Sequence, residues 1–247
     1  MIDNKKAKVL EKLNWDKYYY GEYGQQWLSN SDIYTLLNDP TSFRKEKEQT
    51  KAMLEGRYFH TALLEPHKLK NFKVVDMSSR NTKAYKDLLA ETNEIMLLKK
   101  EQENLDKMVE VIKNNEEMIT ELYDFDNTYE VPEVAEICGH MWKGKADIVC
   151  PHKLIDIKSS SDISRFRYSA NKYNYDSQAY IYQVLFNKPI QFYVIDKTTH
   201  QLGIYEPSAE FLAKGYEKVK QALEVYSRFF EKDAVEDINQ YIHYEIL

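Results

Sequence analysis

The 247-residue chain has little of what punctuates or staples a fold: two cysteines, 7 glycines and 6 prolines. Cys138 and Cys150 are too few for a disulfide framework or a four-cysteine cluster. There is no low-complexity tract and no internal repeat, and nothing marks a long linker, so the expectation is one compact, helix-rich domain of generous size. No run of about 18 apolar residues occurs, which excludes an ordinary membrane-spanning helix. The opening M-I-D-N-K-K-A-K has no apolar signal core, and a soluble, cytoplasmic protein is expected. Nor is there an excess of positive charge. At a net −6 the chain has no global basic footprint for nucleic acid.

What is present concentrates between Lys143 and Lys158, K-G-K-A-D-I-V-C-P-H-K-L-I-D-I-K. Apolar residues on either side of Pro151-His152 outline a β-hairpin, into which Asp147, Asp156 and Lys158 are inserted. Strand side chains alternate faces, so Asp156 and Lys158 share one. A turn centred between Pro151 and His152 sets Asp147 against Asp156, and opposed strand positions have Cβ atoms ~4.5–5.5 Å apart. Carboxylates that close repel unless a cation lies between them, and hard divalent ions take such oxygen ligands. These three residues alone fit either a metal site for phosphate chemistry or a solvated charged face.

The charge distribution is uneven. From Lys143 to Lys172 there are seven Lys/Arg against three Asp, whereas 91–136 is heavily acidic. A phosphate-backbone ligand needs a local basic surface of this kind; a solvated face would look the same.

Periodicity and punctuation place the elements. Ser31-Asp32 starts a helix that Pro40 ends, and another runs from about Met53 to Leu64. Residues 83–98 and 101–122 read as amphipathic helices, the second carrying Leu105, Met108, Val109, Ile112, Ile119 and Leu122. Strands follow at 131–138, 141–150 and 153–158, the first pair turning at Gly139-His140. Then come a helix over 171–187, a hairpin of 190–197 with 201–206, and a long helix from Ala209 to Phe230. The order predicts an α/β (mixed α+β) fold, a central mixed sheet flanked by helices. The expected division is a mainly helical part over 1–125, a sheet and helix over 126–206, and a C-terminal helix and tail over 207–247.

Several segments then match one family in order. Asp147 followed by Asp156-Ile157-Lys158 resembles the PD-(D/E)xK nuclease core, with Ala146 where proline is usual. Gln178-Ala179-Tyr180-Ile181-Tyr182 is similar to the Q-x-x-x-Y element of its phage exonuclease and RecB-like branch. D-I-K-S-S-S-D-I-S-R-F (156–166), G-R-Y-F-H-T-A-L-L-E-P (56–66) and S-N-S-D-I (29–33) resemble segments of RecE-type exodeoxyribonuclease VIII. The resemblance spans about 29 to 230. It implies a restriction-endonuclease-like core and a metal-dependent exonuclease. Such an enzyme would degrade double-stranded DNA from linear ends, 5′ to 3′, in phage-type recombination. A PD-(D/E)xK endonuclease for branched or foreign DNA, and an inactive DNA-binding or interaction module, are the alternatives. The two cysteines exclude the iron–sulfur nuclease branch.

The resemblance also implies roles. Asp147 and Asp156 would ligate Mg2+ (or Mn2+) with the Ile157 carbonyl. Lys158, readily kept protonated beside two carboxylates, would position water and stabilise charge rather than act as a base. His60 alone, between Phe59 and Leu63, reads as a packed core histidine; within the matched string it would be a metal ligand, with Gly56 one turn earlier allowing close approach. Gln178 and Tyr182 share a helix face at i and i+4, and would lie near the lysine and the DNA phosphate. Arg165, Arg167 and Lys172 are candidate phosphate contacts, and Tyr173 and Tyr175 could stack on a frayed base. With Glu136 paired to Lys143, Glu136 falls ~13 Å from Asp147, too far to share a metal, and Glu133 faces away. DNA ends, a single-strand annealing protein and copies of the chain itself in a ring are the partners implied, in a bacterial or phage-infected cell.

Overall fold

The computed structural model describes residues 2–46, 48–234, 236–242 and 244; the last three residues of the expected tail lie outside them. Helices α1 (Ile2–Leu13), α2 (Asp16–Tyr19), α3 (Asn30–Asn38) and α4 (Lys51–Leu64) open the chain. A small parallel pair, β1 (Val74–Val75) and β2 (Leu97–Leu98), brackets α5 (Lys83–Thr92), and α6 (Lys99–Lys113) and α7 (Glu116–Leu122) follow. The main sheet is built from β3 (Thr128–Ile137), β4 (His140–Val149) and β5 (Leu154–Ser160). After helices α8 (Phe166–Lys172) and α9 (Tyr175–Phe186) it continues with β6 (Ile190–Asp196) and β7 (Leu202–Tyr205). Helix α10 (Ala209–Phe229) closes the fold.

Strands are ordered β3-β4-β5-β6-β7, antiparallel except for β5 and β6, which the α8–α9 crossover makes parallel. The mixed sheet expected from the sequence is therefore present, with helices on both faces. On one side α3, α8, α9 and α10 pack over Trp142, Leu154, Phe192 and Val194. On the other, α4, α6 and α7 cover Ile148, Ile155, Ile157, Tyr193 and Ile195. The alternation of β6 between the two cores is the period-2 pattern of a strand buried on both faces. In β5 the same alternation turns Asp156, flanked by Ile155 and Ile157, toward α9.

Strand β3 begins at Thr128 rather than at 131, and four helices differ from expectation, each for a local reason. The 83–98 helix stops at Thr92, where Asn93 is left-handed (φ +52°). The 101–122 helix breaks at Asn114-Asn115, where the Asn115 side chain caps the next helix through Met118 N at 2.9 Å. The 171–187 helix is two, divided at left-handed Asn174 (φ +58°). Helix α3 starts earlier than Ser31, because Ser29 caps it, its N–H bound to the Asp32 carboxylate at 2.8 Å.

The feature that shapes the site is a split. Strands β4 and β5 pair only at Ile148–Ile155 and Val149–Leu154, the register expected for a turn centred at Pro151-His152, and then part. Other groups cover the open edge of β4. Leu28 bridges it, donating to Met141 O at 3.0 Å and accepting from Lys143 N at 2.8 Å. The Tyr182 hydroxyl donates to Lys145 O at 3.0 Å and accepts from its N–H at 3.3 Å. Helix α9 comes this close because Gly144 has no side chain: a Cβ there would lie 2.7 Å from Leu185 Cδ1 and 2.9 Å from Tyr182 Cε1. Gly144→Ala should accordingly lower stability by ~1–3 kcal/mol, the usual cost of overpacking a filled core, read as a lower urea midpoint at unchanged slope.

Candidate active site

Where β4 and β5 separate, their side chains turn into the gap. Asp147 bridges the opening itself: its Oδ2 accepts the Ile157 N–H at 2.7 Å. His60, on α4, lies with Nδ1 3.4 Å from the same oxygen. The buried anchors Phe59 and Leu63 fix that helix on the Ile155–Ile157 face of the sheet. From β3 comes Glu130, in the left-handed region (φ +51°), which a residue other than glycine occupies only at a cost. One ligand atom from each of His60, Glu130 and Asp147 lies within 4.8 Å of the others. An imidazole nitrogen with two carboxylate oxygens is a donor set that suits a divalent cation.

Asp156 belongs to a second group. It is 2% exposed, its Oδ1 accepts from Gln178 Nε2 at 2.6 Å, and Lys158 Nζ stands 2.5 Å from Oδ2. Among the described residues no other donor reaches Oδ2. The Tyr175 ring lies 4.8 Å from the same ammonium. The metal set expected was His60, Asp147, Asp156 and the Ile157 carbonyl, and the side chains group as follows. Glu130 groups with His60 and Asp147, Asp156 is turned to Lys158 and Gln178, and the Ile157 backbone enters through its N–H to Asp147.

Electrostatics follow from this division. Burial, then repulsion from Asp147, pushes Glu130 up to about 7. Burial raises Asp156 to about 6, with Asp147 adding to it and Lys158 opposing. Burial alone would raise Asp147 too, but His60, Lys158 and the Ile157 N–H bring it below the usual carboxylate range. Burial disfavours the His60 cation, yet the Asp147 charge and hydrogen bond outweigh that and raise its pKa. Lys158 is raised as well, because Asp156, Tyr175 and Asp147 outweigh its desolvation; it stays an ammonium. The site carries more anionic character than its own cations balance.

Glu130 is the residue that sequence reasoning missed, and the turn explains why. The β3–β4 hairpin turns at Cys138-Gly139, both with positive φ (52° and 79°), and closes on Ile137–His140. Cysteine is not a residue expected at positive φ in a two-residue turn. Placing the turn one residue later shifts the register by two and puts Pro132 where Glu130 stands, between the Val131–Ala146 and Tyr129–Ile148 pairs. Glu133 and Glu136 lie elsewhere. Glu136 pairs with Met141 and is exposed, and Glu133 binds Lys6 at 2.8 Å.

Other expected contacts are also redistributed. Gln178 is buried with its Nε2 bound to Asp156, and the Tyr182 hydroxyl is spent on the Lys145 backbone, so both position strands. Gly56 has open space where a Cβ would be. Of the seven cations from Lys143 to Lys172, four are engaged internally. Lys143 is buried, donates to Tyr19 O and is pushed down to about 8 by desolvation. Lys145 binds Asp16 at 2.7 Å, Lys153 binds Glu121 at 2.7 Å, and Lys158 binds Asp156. Arg165, Arg167 and Lys172 are exposed on and beside α8.

Residues 35–238 match the family described as PDDEXK-like domain of unknown function (DUF3799). The chain belongs to that family. Its fold is also that of a crystal structure described as a "putative exonuclease" from Eubacterium rectale. The two share 17% identity over 94% of this chain and 95% of that one, with a TM-score of 0.63. A second structure, SSO0001, aligns with 79% of this chain and 85% of its own at 16% identity and a TM-score of 0.35. No curated protein matches. At 17% identity the likeness to the Eubacterium rectale structure is one of fold, and with the family match it is the PD-(D/E)xK-type fold expected from the sequence.

The shifted groups set a pH dependence for the metal-free protein. Asp156 and Glu130 rise from ordinary values of 3.8 and 4.5 to about 6 and about 7, and His60 rises from 6.5. The folded state therefore holds protons that the unfolded chain has released. Their stabilisation is complete below pH 3.8 and is lost as pH climbs through 7. Asp147, shifted down from 3.8, opposes this only in more acid solution. Between pH 5 and pH 8 in chelator the protein should lose on the order of 4 kcal/mol from these groups. Added Mn2+ should raise the melting point more at pH 8 than at pH 5, because ligands bind metal deprotonated. A metal-independent melting point at pH 8 would remove the metal assignment.

Proposed function

We propose that this protein is a metal-dependent nuclease that degrades double-stranded DNA from linear ends, with Mg2+ or Mn2+ as its cofactor. The observation that carries the reading is the convergence of His60, Glu130 and Asp147 beside the Asp156–Lys158 pair at the mouth of the β4–β5 split. Family membership supports phosphodiester hydrolysis, because the two acids and the lysine of the PD-(D/E)xK core are present as Asp147, Asp156 and Lys158, with Ala146 in place of the proline. The described name of the Eubacterium rectale protein and the resemblance to RecE-type enzymes favour an exonuclease, 5′ to 3′, in phage-type recombination. A ring of copies around the duplex and an annealing protein as recipient of the single strand belong to the same reading.

A divalent ion at His60, Glu130 and Asp147 would lower the pKa of a bound water and neutralise the scissile phosphate. The chain's own groups do the rest. Lys158 remains an ammonium and stabilises charge that develops on the phosphoryl oxygens. Gln178 fixes Asp156 through Oδ1, which leaves Oδ2 pointing into the site with only the ion pair to Lys158. Asp147, tied to the Ile157 N–H, keeps the two strands at a fixed separation. The chemistry is thus held on strands rather than on loops.

The test is digestion of linear against covalently closed duplex DNA, each strand end-labelled in turn, with Mg2+ or Mn2+ and with chelator. Linear duplex should shorten from one labelled end, closed circles should persist, and chelator should stop the reaction. Lys158→Ala should cut the rate by a factor of 100 or more, about 3 kcal/mol of transition-state stabilisation. Rapid cutting of closed circles would replace the exonuclease reading with an endonuclease. Equal activity in chelator would remove metal from the mechanism.

A further inference from the structure

Within the basic stretch from Lys143 to Lys172, the exposed cations are confined to one segment. From Ile163 to Tyr175 the chain has no acidic residue and carries Arg165, Arg167 and Lys172. All three are exposed, and among the described residues none is in an ion pair. Helical spacing places Arg165, Tyr168 and Lys172 at i, i+3 and i+7, one stripe of α8 and its cap. Tyr168 is 72% exposed and Tyr173, at the helix end, 58%. Large aromatic rings this open to water among cations have no packing role in the monomer.

A path joins this stripe to the catalytic centre. The Tyr175 ring is 4.8 Å from Lys158 Nζ, and the Tyr173 ring follows at 6.2 Å, tilted by 40°, with Lys172 Nζ 5.8 Å from its centre. The left-handed break at Asn174 separates α8 from α9 and lets Tyr173 stand out while Tyr175 turns inward. Ring faces can stack only on bases that are themselves unstacked. Cations tracking a backbone with aromatic platforms between them are the means by which proteins hold single strands without reading sequence.

We infer that Arg165, Tyr168, Lys172 and Tyr173 form a binding track for single-stranded DNA leading from Lys158 along α8. Tyr168 and Tyr173 are the stacking platforms and Arg165 and Lys172 the phosphate contacts. The inference rests on the nuclease reading for what the strand is doing there: it is the strand left or led away beside the reacting end. The track holds it while the site acts.

The test is fluorescence anisotropy in chelator, so that nothing is cut, with a labelled oligothymidylate and a labelled blunt hairpin duplex. Tyr168→Ala with Tyr173→Ala should weaken oligothymidylate binding ~10-fold or more and leave duplex binding and the melting point unchanged, since both rings are exposed. The corresponding Phe variants should bind as wild type. Arg165→Gln with Lys172→Gln should reduce the salt slope for the single strand by about 1.4, two contacts at ~0.7 each. An alanine variant that binds the single strand like wild type overturns the track. So does equal loss for both ligands, an unchanged salt slope, or a wild-type protein that does not bind the single strand. The two readings fail separately. Loss of single-strand affinity in a protein that leaves linear duplex intact removes the nuclease and keeps the track, whereas normal digestion with unchanged affinity removes only the track.

Discussion

The parting of β4 from β5 after two ladder pairs is the constraint on which the rest of the structure depends. An interrupted ladder leaves backbone donors and acceptors without partners inside the protein, at ~1–3 kcal/mol each if they stay unmet. Here they are met by the groups that also make the site. Asp147 takes the Ile157 N–H, Tyr182 takes both polar groups of the Lys145 backbone, and Leu28 takes the Met141 carbonyl and the Lys143 N–H. Gln178 and Tyr182, one turn apart on α9, therefore hold the two parted strands at once: the amide grips Asp156 on β5 and the phenol grips β4. Gly144 is what lets the helix sit close enough to do so.

Inside the gap the charges divide into a settled pair and an unsettled group. Asp156 and Lys158 compensate each other, with Gln178 completing the carboxylate. Glu130 and Asp147 share His60, and burial together with their mutual repulsion raises the Glu130 carboxyl to about 7. A site that takes up protons for want of a cation is one that a divalent ion would relieve. The strained backbone at Glu130 points the same way, since a left-handed glutamate persists only where surrounding structure enforces it.

The N-terminal segment completes β4 from outside the family match, which begins at residue 35. Asp16, Tyr19 and Leu28 together bind Lys143 and Lys145 and cover the strand that carries Asp147. They draw two cations out of what looks, in the linear sequence, like a continuous basic surface. The positive charge left free lies on α8.

Much of this was legible in the residues themselves. The alternation around Pro151-His152 determined the β4–β5 register, and turn and cap signals placed α3, α4 and α10. The ordered motifs named the fold type and brought forward His60, Asp147, Asp156, Lys158 and Gln178, because patterns within one element are local and survive in the linear chain. What tertiary structure alone decided are the partnerships between elements. Glu130 joins the site only because a cysteine takes positive φ in a tight turn and moves the β3 register by two. Asp156 faces Lys158 and Gln178 instead of the His60 group because β5 leaves β4 at that point. Tyr182 and the lysines of β4 are internal because an open strand edge must find hydrogen-bond partners, and no spacing in the sequence says which residues will supply them.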